Sequence, residues 1–173
     1  MKTAYISNED HYQHVLLETL DAQRTLWIGT ADLKDLYIKT GSTSVPFLQA
    51  LAERIEDGLE VRLIHAKEPG PRFREDFDRF PVLAERLERM LCPRVHFKML
   101  IIDCTSAYIG SANLTGAGLG MKSPHRRNFE TGIFTNDPAL VEPAIEQFDS
   151  LWIGTPCQTC GRTDYCTDRI TPD

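Results

Sequence analysis

Residues 94–135 read RVHFKMLIIDCTSAYIGSANLTGAGLGMKSPHRRNFETGIFT, and a set of side chains that could do chemistry together stands there in a regular spacing. In an extended strand, side chains alternate between faces. Val95, Phe97, Met99 and Ile101 then share an apolar face suited to a core, and His96 and Lys98 share the other, ~7 Å apart by strand rise. Asp103 closes that strand. After a tight turn, Ser111 and Asn113 share a face, and on a third strand Asn128 and Glu130 share one, with Phe129, Thr131 and Ile133 opposite. Together they offer an imidazole, an ammonium, a hydroxyl, a carboxamide and a carboxylate. That set suits attack on a phosphodiester without a catalytic metal. Lys, Ser and Asn donate hydrogen bonds to non-bridging oxygens. An imidazole serves as nucleophile or general acid, and a carboxylate fixes its tautomer.

The pattern His96-x-Lys98-x4-Asp103, x6-Gly110-Ser111-x-Asn113, then Glu130 in Asn-Phe-Glu-x-Gly, resembles the phospholipase D superfamily. The resemblance implies that His96 forms a phosphohistidine or protonates the leaving group. It implies that Lys98 and Asn113 hold the phosphate with help from Ser111. Asp103 is then a supporting carboxylate, and Glu130 the one that orients a catalytic histidine. One departure matters: superfamily chains usually carry two such motifs and this chain has one. His65-Ala66-Lys67 repeats only the first spacing, with no matching aspartate. One histidine cannot both attack and protonate across an in-line displacement, so a homodimer is expected, with two copies of His96 facing each other across a two-fold axis. Single-motif, metal-independent bacterial endonucleases of the superfamily have that character.

Elements to position this set are legible around it. Helical periodicity is expected over residues 7–23, and a short strand over 25–29. A loop over 40–44 leads to a helix with the stripe Phe47, Leu48, Leu51, Ala52 and Ile55, and residues 59–64 alternate as a strand. Phe73, Phe77 and Phe80 recur as a core-facing stripe. Leu83, Leu87, Met90 and Leu91 are read as another helical set. Strands are expected over 94–103, 107–112 and 128–135. Asp137-Pro138 opens a last helix that buries Leu140, Ala144, Ile145, Phe148 and Trp152 and stops at Gly154. The expected class is α/β: a mixed central sheet with helices on both faces. Residues 1–154 would be the catalytic domain and 155–173 a cysteine-rich metal-binding tail.

The chain has 173 residues, 42% hydrophobic and 25% charged, which excludes a disordered or multi-span membrane protein. Its net charge of −6 excludes a globally basic nucleic-acid coat protein, but not a local basic site. Lys122, His125, Arg126 and Arg127 supply such a site just before Glu130, suited to a nucleic-acid backbone. That loop suits plain solvation equally well; chain size and the single motif make nucleic acid the expected substrate, although the net acidity repels polyanions at long range. The alternatives are phospholipid hydrolysis or head-group transfer, and an inactive phosphate-binding module. No signal segment or membrane-length apolar run is visible, so a cytoplasmic location is expected.

In a reducing compartment, five cysteines do not suggest a disulfide framework. Cys157-x2-Cys160-x5-Cys166 has the knuckle spacing of a metal site, and Cys92 is the expected fourth ligand, with Cys104 and Asp164 as alternatives. A structural zinc ion is expected; an iron–sulfur cluster on the same ligands is the alternative.

Overall fold

The structure, a computed structural model, describes residues 2–34, 36–40 and 42–168. In chain order it contains β1 (Thr3–Ser7), a π-helical turn (Tyr12–Leu16) running into α1 (Leu17–Leu20), β2 (Thr25–Thr30), β3 (Tyr37–Thr40), β4 (Thr43–Pro46), α2 (Phe47–Glu56), β5 (Glu60–His65), α3 (Pro71–Asp78), α4 (Pro81–Arg86), β6 (Glu88–Leu91), β7 (Lys98–Ile102), β8 (Ser106–Gly110), β9 (Thr131–Thr135) and α5 (Pro138–Trp152). Seven strands form one mixed sheet in the order β1-β9-β8-β7-β2-β5-β6. β2, β5 and β6 run parallel, and the pairs from β2 through β7, β8 and β9 to β1 are antiparallel.

Alternation along the strands divides the core into two layers. Leu100 and Ile102 of β7 join Leu26, Ile28, Val61 and Leu63 beneath α2, whose Phe47, Leu51 and Ile55 are buried against them. Val95, Met99 and Ile101 face the other way and join Ile64, Ala107 and the α5 residues Val141, Ala144 and Phe148. The α/β sandwich expected from sequence is the fold observed. Asp137 caps α5 by accepting from the Ala139 N–H at 3.0 Å, with Pro138 in the first turn. Among the described residues, no helix is long and apolar enough to cross a membrane.

Four local expectations are corrected. Ser7 does not open a helix: it ends β1, an edge strand paired with β9, and the helical turn begins at Tyr12. The segment after β2 is not a plain loop but the β3–β4 hairpin. Leu87, Met90 and Leu91 do not continue a helix, because Leu87 is extended and β6 pairs in parallel with β5. A buried edge strand needs the same apolar residues as a helical stripe, so the periodicity was ambiguous. β7 begins at Lys98 rather than at residue 94. In the expected tail, residues 155–168 form two short 3₁₀ turns, Thr155–Thr159 and Thr163–Tyr165, with no buried side chain. Residues 169–173 lie outside the described residues.

Candidate active site

Antiparallel register determines which side chains meet. Lys98 pairs with Gly110, and Gly110 with Gly132, so the start of β7, the end of β8 and the start of β9 lie side by side. This edge gathers His96, Lys98, Ser111 and Glu130. The Lys98 ammonium is buried, lies 3.2 Å and 3.3 Å from Nδ1 and Nε2 of the exposed His96 ring, and donates to the His96 carbonyl at 2.7 Å. Burial holds it below the usual lysine range, while the Glu130 charge acts in the opposite direction. An ammonium beside an exposed imidazole on a strand edge has the form of an oxyanion clamp next to a nucleophile.

Glu130 is held from both sides. One carboxylate oxygen accepts from the Ser111 hydroxyl and the other from the Asn128 amide at 2.9 Å. The Ser111 oxygen also accepts from the Thr131 N–H at 3.0 Å. The single hydroxyl proton of Ser111 is thus given to Glu130. Asn113 is oriented from β2: its Oδ1 accepts from the Asp32 N–H at 3.0 Å and from the Thr30 hydroxyl at 3.4 Å. With its oxygen occupied, the group that Asn113 has left to offer is its Nδ2 donor.

Asp103 is not brought to this edge. It stands at the other end of β7, five residues on from Lys98, a span of roughly 17 Å in a strand. Its carboxylate accepts from the backbone N–H groups of Gln23, Arg24 and Thr25 at 2.9, 2.7 and 3.0 Å, tying the β7–β8 turn to the start of β2. Asp103 and Cys104 both have positive φ, 52° and 53°, in a turn closed by Thr105 N–H to Ile102 O at 3.0 Å. Burial raises the Asp103 carboxyl, but the three N–H donors together outweigh it and hold it below the ordinary value of 3.8. A carboxyl depressed on folding stabilises above its unfolded pKa, and that contribution is lost as pH falls through the depressed value. Asp103→Ala should therefore lose about 1–3 kcal/mol of unfolding free energy at neutral pH. The gap to wild type should close as pH falls below 3.8. Denaturant melts at several pH values test this. A variant of unchanged stability but lost turnover would place Asp103 in the chemistry instead.

A second layer was not recognised from sequence. His11 is fully buried, with Nδ1 2.9 Å from the Asn8 carbonyl and Nε2 2.9 Å from the Tyr108 hydroxyl. A carbonyl only accepts, so Nδ1 carries the proton and Nε2 accepts from Tyr108; the Tyr108 oxygen in turn accepts from the Ala112 N–H at 3.2 Å. Burial lowers the His11 pKa and pushes Tyr108 up to about 12, so both remain neutral in this chain of bonds. Its two ends brace the site. Asn8, in a left-handed conformation with φ 45°, brackets Glu130 through its Oδ1 and its N–H, at 3.2 Å and 3.0 Å. Ala112 lies between Ser111 and Asn113. A Cβ on Gly110 would come within 2.2 Å of the Tyr108 hydroxyl, and one on Gly132 within 2.4 Å of its ring. Both glycines leave room for the phenol.

Cys92, Cys157, Cys160 and Cys166 line one cavity between β6, the segment leading to His96 and the tail. Among the described residues, no group of three His, Cys, Asp or Glu side chains is close enough to hold a metal ion. The structure therefore gives no support to the single-ion zinc site expected on these cysteines: a tetrahedral zinc would need all its thiolates ~2.3 Å from one point. Of the alternative ligands, Cys104 is exposed in the turn at the far end of β7 and Asp164 is exposed in the tail.

Residues 16–152 match the family model described as "Cardiolipin synthase, PLD-like domain". No curated protein matches the chain. Among solved structures, NucT from Helicobacter pylori is 15% identical with a TM-score of 0.63, covering 87% of this chain and 95% of its own. A phospholipase D family member, Nuc from Salmonella typhimurium, is 17% identical with a TM-score of 0.62, covering 87% and 93%. TrmBL2, an archaeal chromatin protein, is 17% identical with a TM-score of 0.59, covering 88% of this chain and 52% of its own. The family model spans well over half of the chain and contains every residue of the strand-edge cluster, so the chain belongs to the PLD-like domain family of the phospholipase D superfamily.

Proposed function

We propose that the chain is a phosphodiester hydrolase that cleaves nucleic acid through a phosphohistidine on His96, in a site completed by a second copy. The observation that carries the chemistry is the buried Lys98 ammonium against the exposed His96 ring. An imidazole nitrogen of His96 attacks phosphorus, a P–N bond forms and the P–O bond to the leaving oxygen breaks. Lys98 and the Asn113 amide donate to the non-bridging oxygens as charge develops. A histidine opposite gives its proton to the leaving oxygen. Water then attacks the phosphohistidine, its proton returns to that histidine and the P–N bond breaks. Ser111 and Asn128 act through Glu130, whose charge faces Lys98. No divalent metal enters these steps.

Nucleic acid is favoured over lipid by one surface feature. Phe129, between Asn128 and Glu130, is 93% exposed. The exposed Lys122, His125 and Arg126 precede it in the chain. An aromatic platform beside cations suits a single strand, with a base stacked on the ring and phosphates on the cations. The structural neighbour TrmBL2, described as having a novel mode of DNA binding, is in keeping with this. The test is cleavage of single- and double-stranded DNA, RNA, phospholipid vesicles and bis(p-nitrophenyl) phosphate in EDTA. Wild type should cleave a nucleic acid and the small diester. Phe129→Ala should raise KM for the polymer roughly tenfold or more, the worth of one stacked base, and leave the small diester unaffected. Cleavage of lipid alone overturns the substrate reading, and cleavage of nothing favours a phosphate-binding module.

A further inference from the structure

The tail presents an unusual set of groups to the body of the protein. Across residues 155–168 no side chain is buried, and the four that are partly buried are Pro156, Cys157, Cys160 and Cys166. Every other described tail residue is exposed. Apolar packing therefore does not hold this segment; its inward-facing side chains are one proline and three thiols. Cys92 faces them from the end of β6, with its N–H bonded to the His65 carbonyl at 2.8 Å. The Asp168 carboxylate returns to the same strand, accepting from the Leu91 N–H at 2.7 Å.

The four thiols line one shared space together with apolar side chains such as Phe97 and Leu151. The cavity they line has a volume of about 250 Å³. That is several water molecules' worth, at ~30 Å³ each, and far more than one ion bound at thiolate distance requires. A space of this size suits a group whose own metal atoms carry the ligands apart. Arg94 and Arg162 also line the cavity, and the Arg94 guanidinium is hydrogen-bonded to Cys160. Cationic side chains beside four thiolates balance a negatively charged assembly.

We infer that Cys92, Cys157, Cys160 and Cys166 ligate a four-iron iron–sulfur cluster that fastens the tail to the β6–β7 segment. Each thiol gives up its proton on becoming a ligand, and each sulfur takes one iron corner of a preformed cluster. Cys92 is four residues before His96, so the cluster would brace the backbone that presents the imidazole while standing outside the chemistry.

The experiment is anaerobic purification of the full chain, followed where needed by reconstitution with ferric iron and sulfide under thiol reductant, which supplies the two electrons of the mixed-valence cluster. Iron, acid-labile sulfide and zinc are measured beside visible absorption. The expected result is ~4 iron and ~4 sulfide per chain with a broad thiolate-to-iron absorption band. Cys92→Ala and Cys157→Ala should each lose the band, and Cys104→Ser should keep it. Because a ligand variant can fail to fold, circular dichroism is run on each, and the wild-type cluster is stripped by chelator under oxidant and then rebuilt. Return of the band on rebuilding supports the assignment. About one zinc per chain without sulfide overturns it, as does a band that survives Cys92→Ala. Absence of iron and sulfide after both purification and reconstitution overturns it as well.

Discussion

His96→Ala should abolish turnover while leaving the protein folded. Replacing a covalent nucleophile costs on the order of 10⁴- to 10⁶-fold in kcat, because the remaining site can only bind and polarise the diester. Here the loss should approach that range, since the Lys98 clamp remains and still binds phosphate. KM for the small diester should change much less than kcat. Stability should hold because the His96 side chain is exposed. Its ring is engaged by Lys98, whose other bond, at 2.7 Å, goes to the backbone carbonyl and survives the substitution. The measurement is kcat and KM for bis(p-nitrophenyl) phosphate in EDTA, with melting curves on the same samples. A variant that keeps wild-type kcat removes His96 from the mechanism and with it the phosphohistidine. A variant that unfolds leaves turnover to be read from His96→Asn, which keeps a polar group of similar size. Wild type quenched with denaturant in base should also carry substrate-derived phosphate that is stable in base and labile in acid, and His96→Ala should carry none.

The fold and the reacting face were readable because both follow from local periodicity. Alternation in β7 placed Met99 and Ile101 in one core layer and left His96 and Lys98 at the polar edge, as observed. The spacing from His96 to Asp103 also held information that was not used: five residues along a strand separate Lys98 and Asp103 by most of its length, so Asp103 could not share the site. What was not readable depends on contacts distant in sequence. Asn8 bonds Glu130 across 122 positions, and His11 bonds Tyr108 across 97. No period links such pairs. β1 and β6 were missed for a related reason: each is a short edge strand whose composition does not separate it from a helix turn or loop, and whose pairing partner alone makes it a strand. The cysteine spacing pointed to four thiols that line one cavity, but not to the size of that cavity.

Mixing wild type with excess His96→Ala should suppress activity beyond simple dilution. In-line displacement needs a nucleophile and an acid on opposite sides of phosphorus. Within one chain, His11 and His65 are 0% and 1% exposed and cannot reach a substrate. If the acid is His96 of a second copy, each dimer holds one composite site that requires two intact histidines. With subunits exchanged at one wild-type chain to three variant chains, only dimers of two wild-type chains react. Activity per wild-type chain should then fall to about a quarter. Sites complete within one chain would keep that activity unchanged. Subunit exchange is checked by differential tags, and the oligomeric state by light scattering, so that failure to mix is not read as independence. Unchanged activity in verified heterodimers would return the acid to the same chain, where the exposed His125 in the loop preceding Glu130 becomes the residue to test. A quarter-level result would explain why a chain with one His-x-Lys-x4-Asp motif needs no second: two-fold symmetry supplies the opposing face of the phosphorus from an identical strand edge.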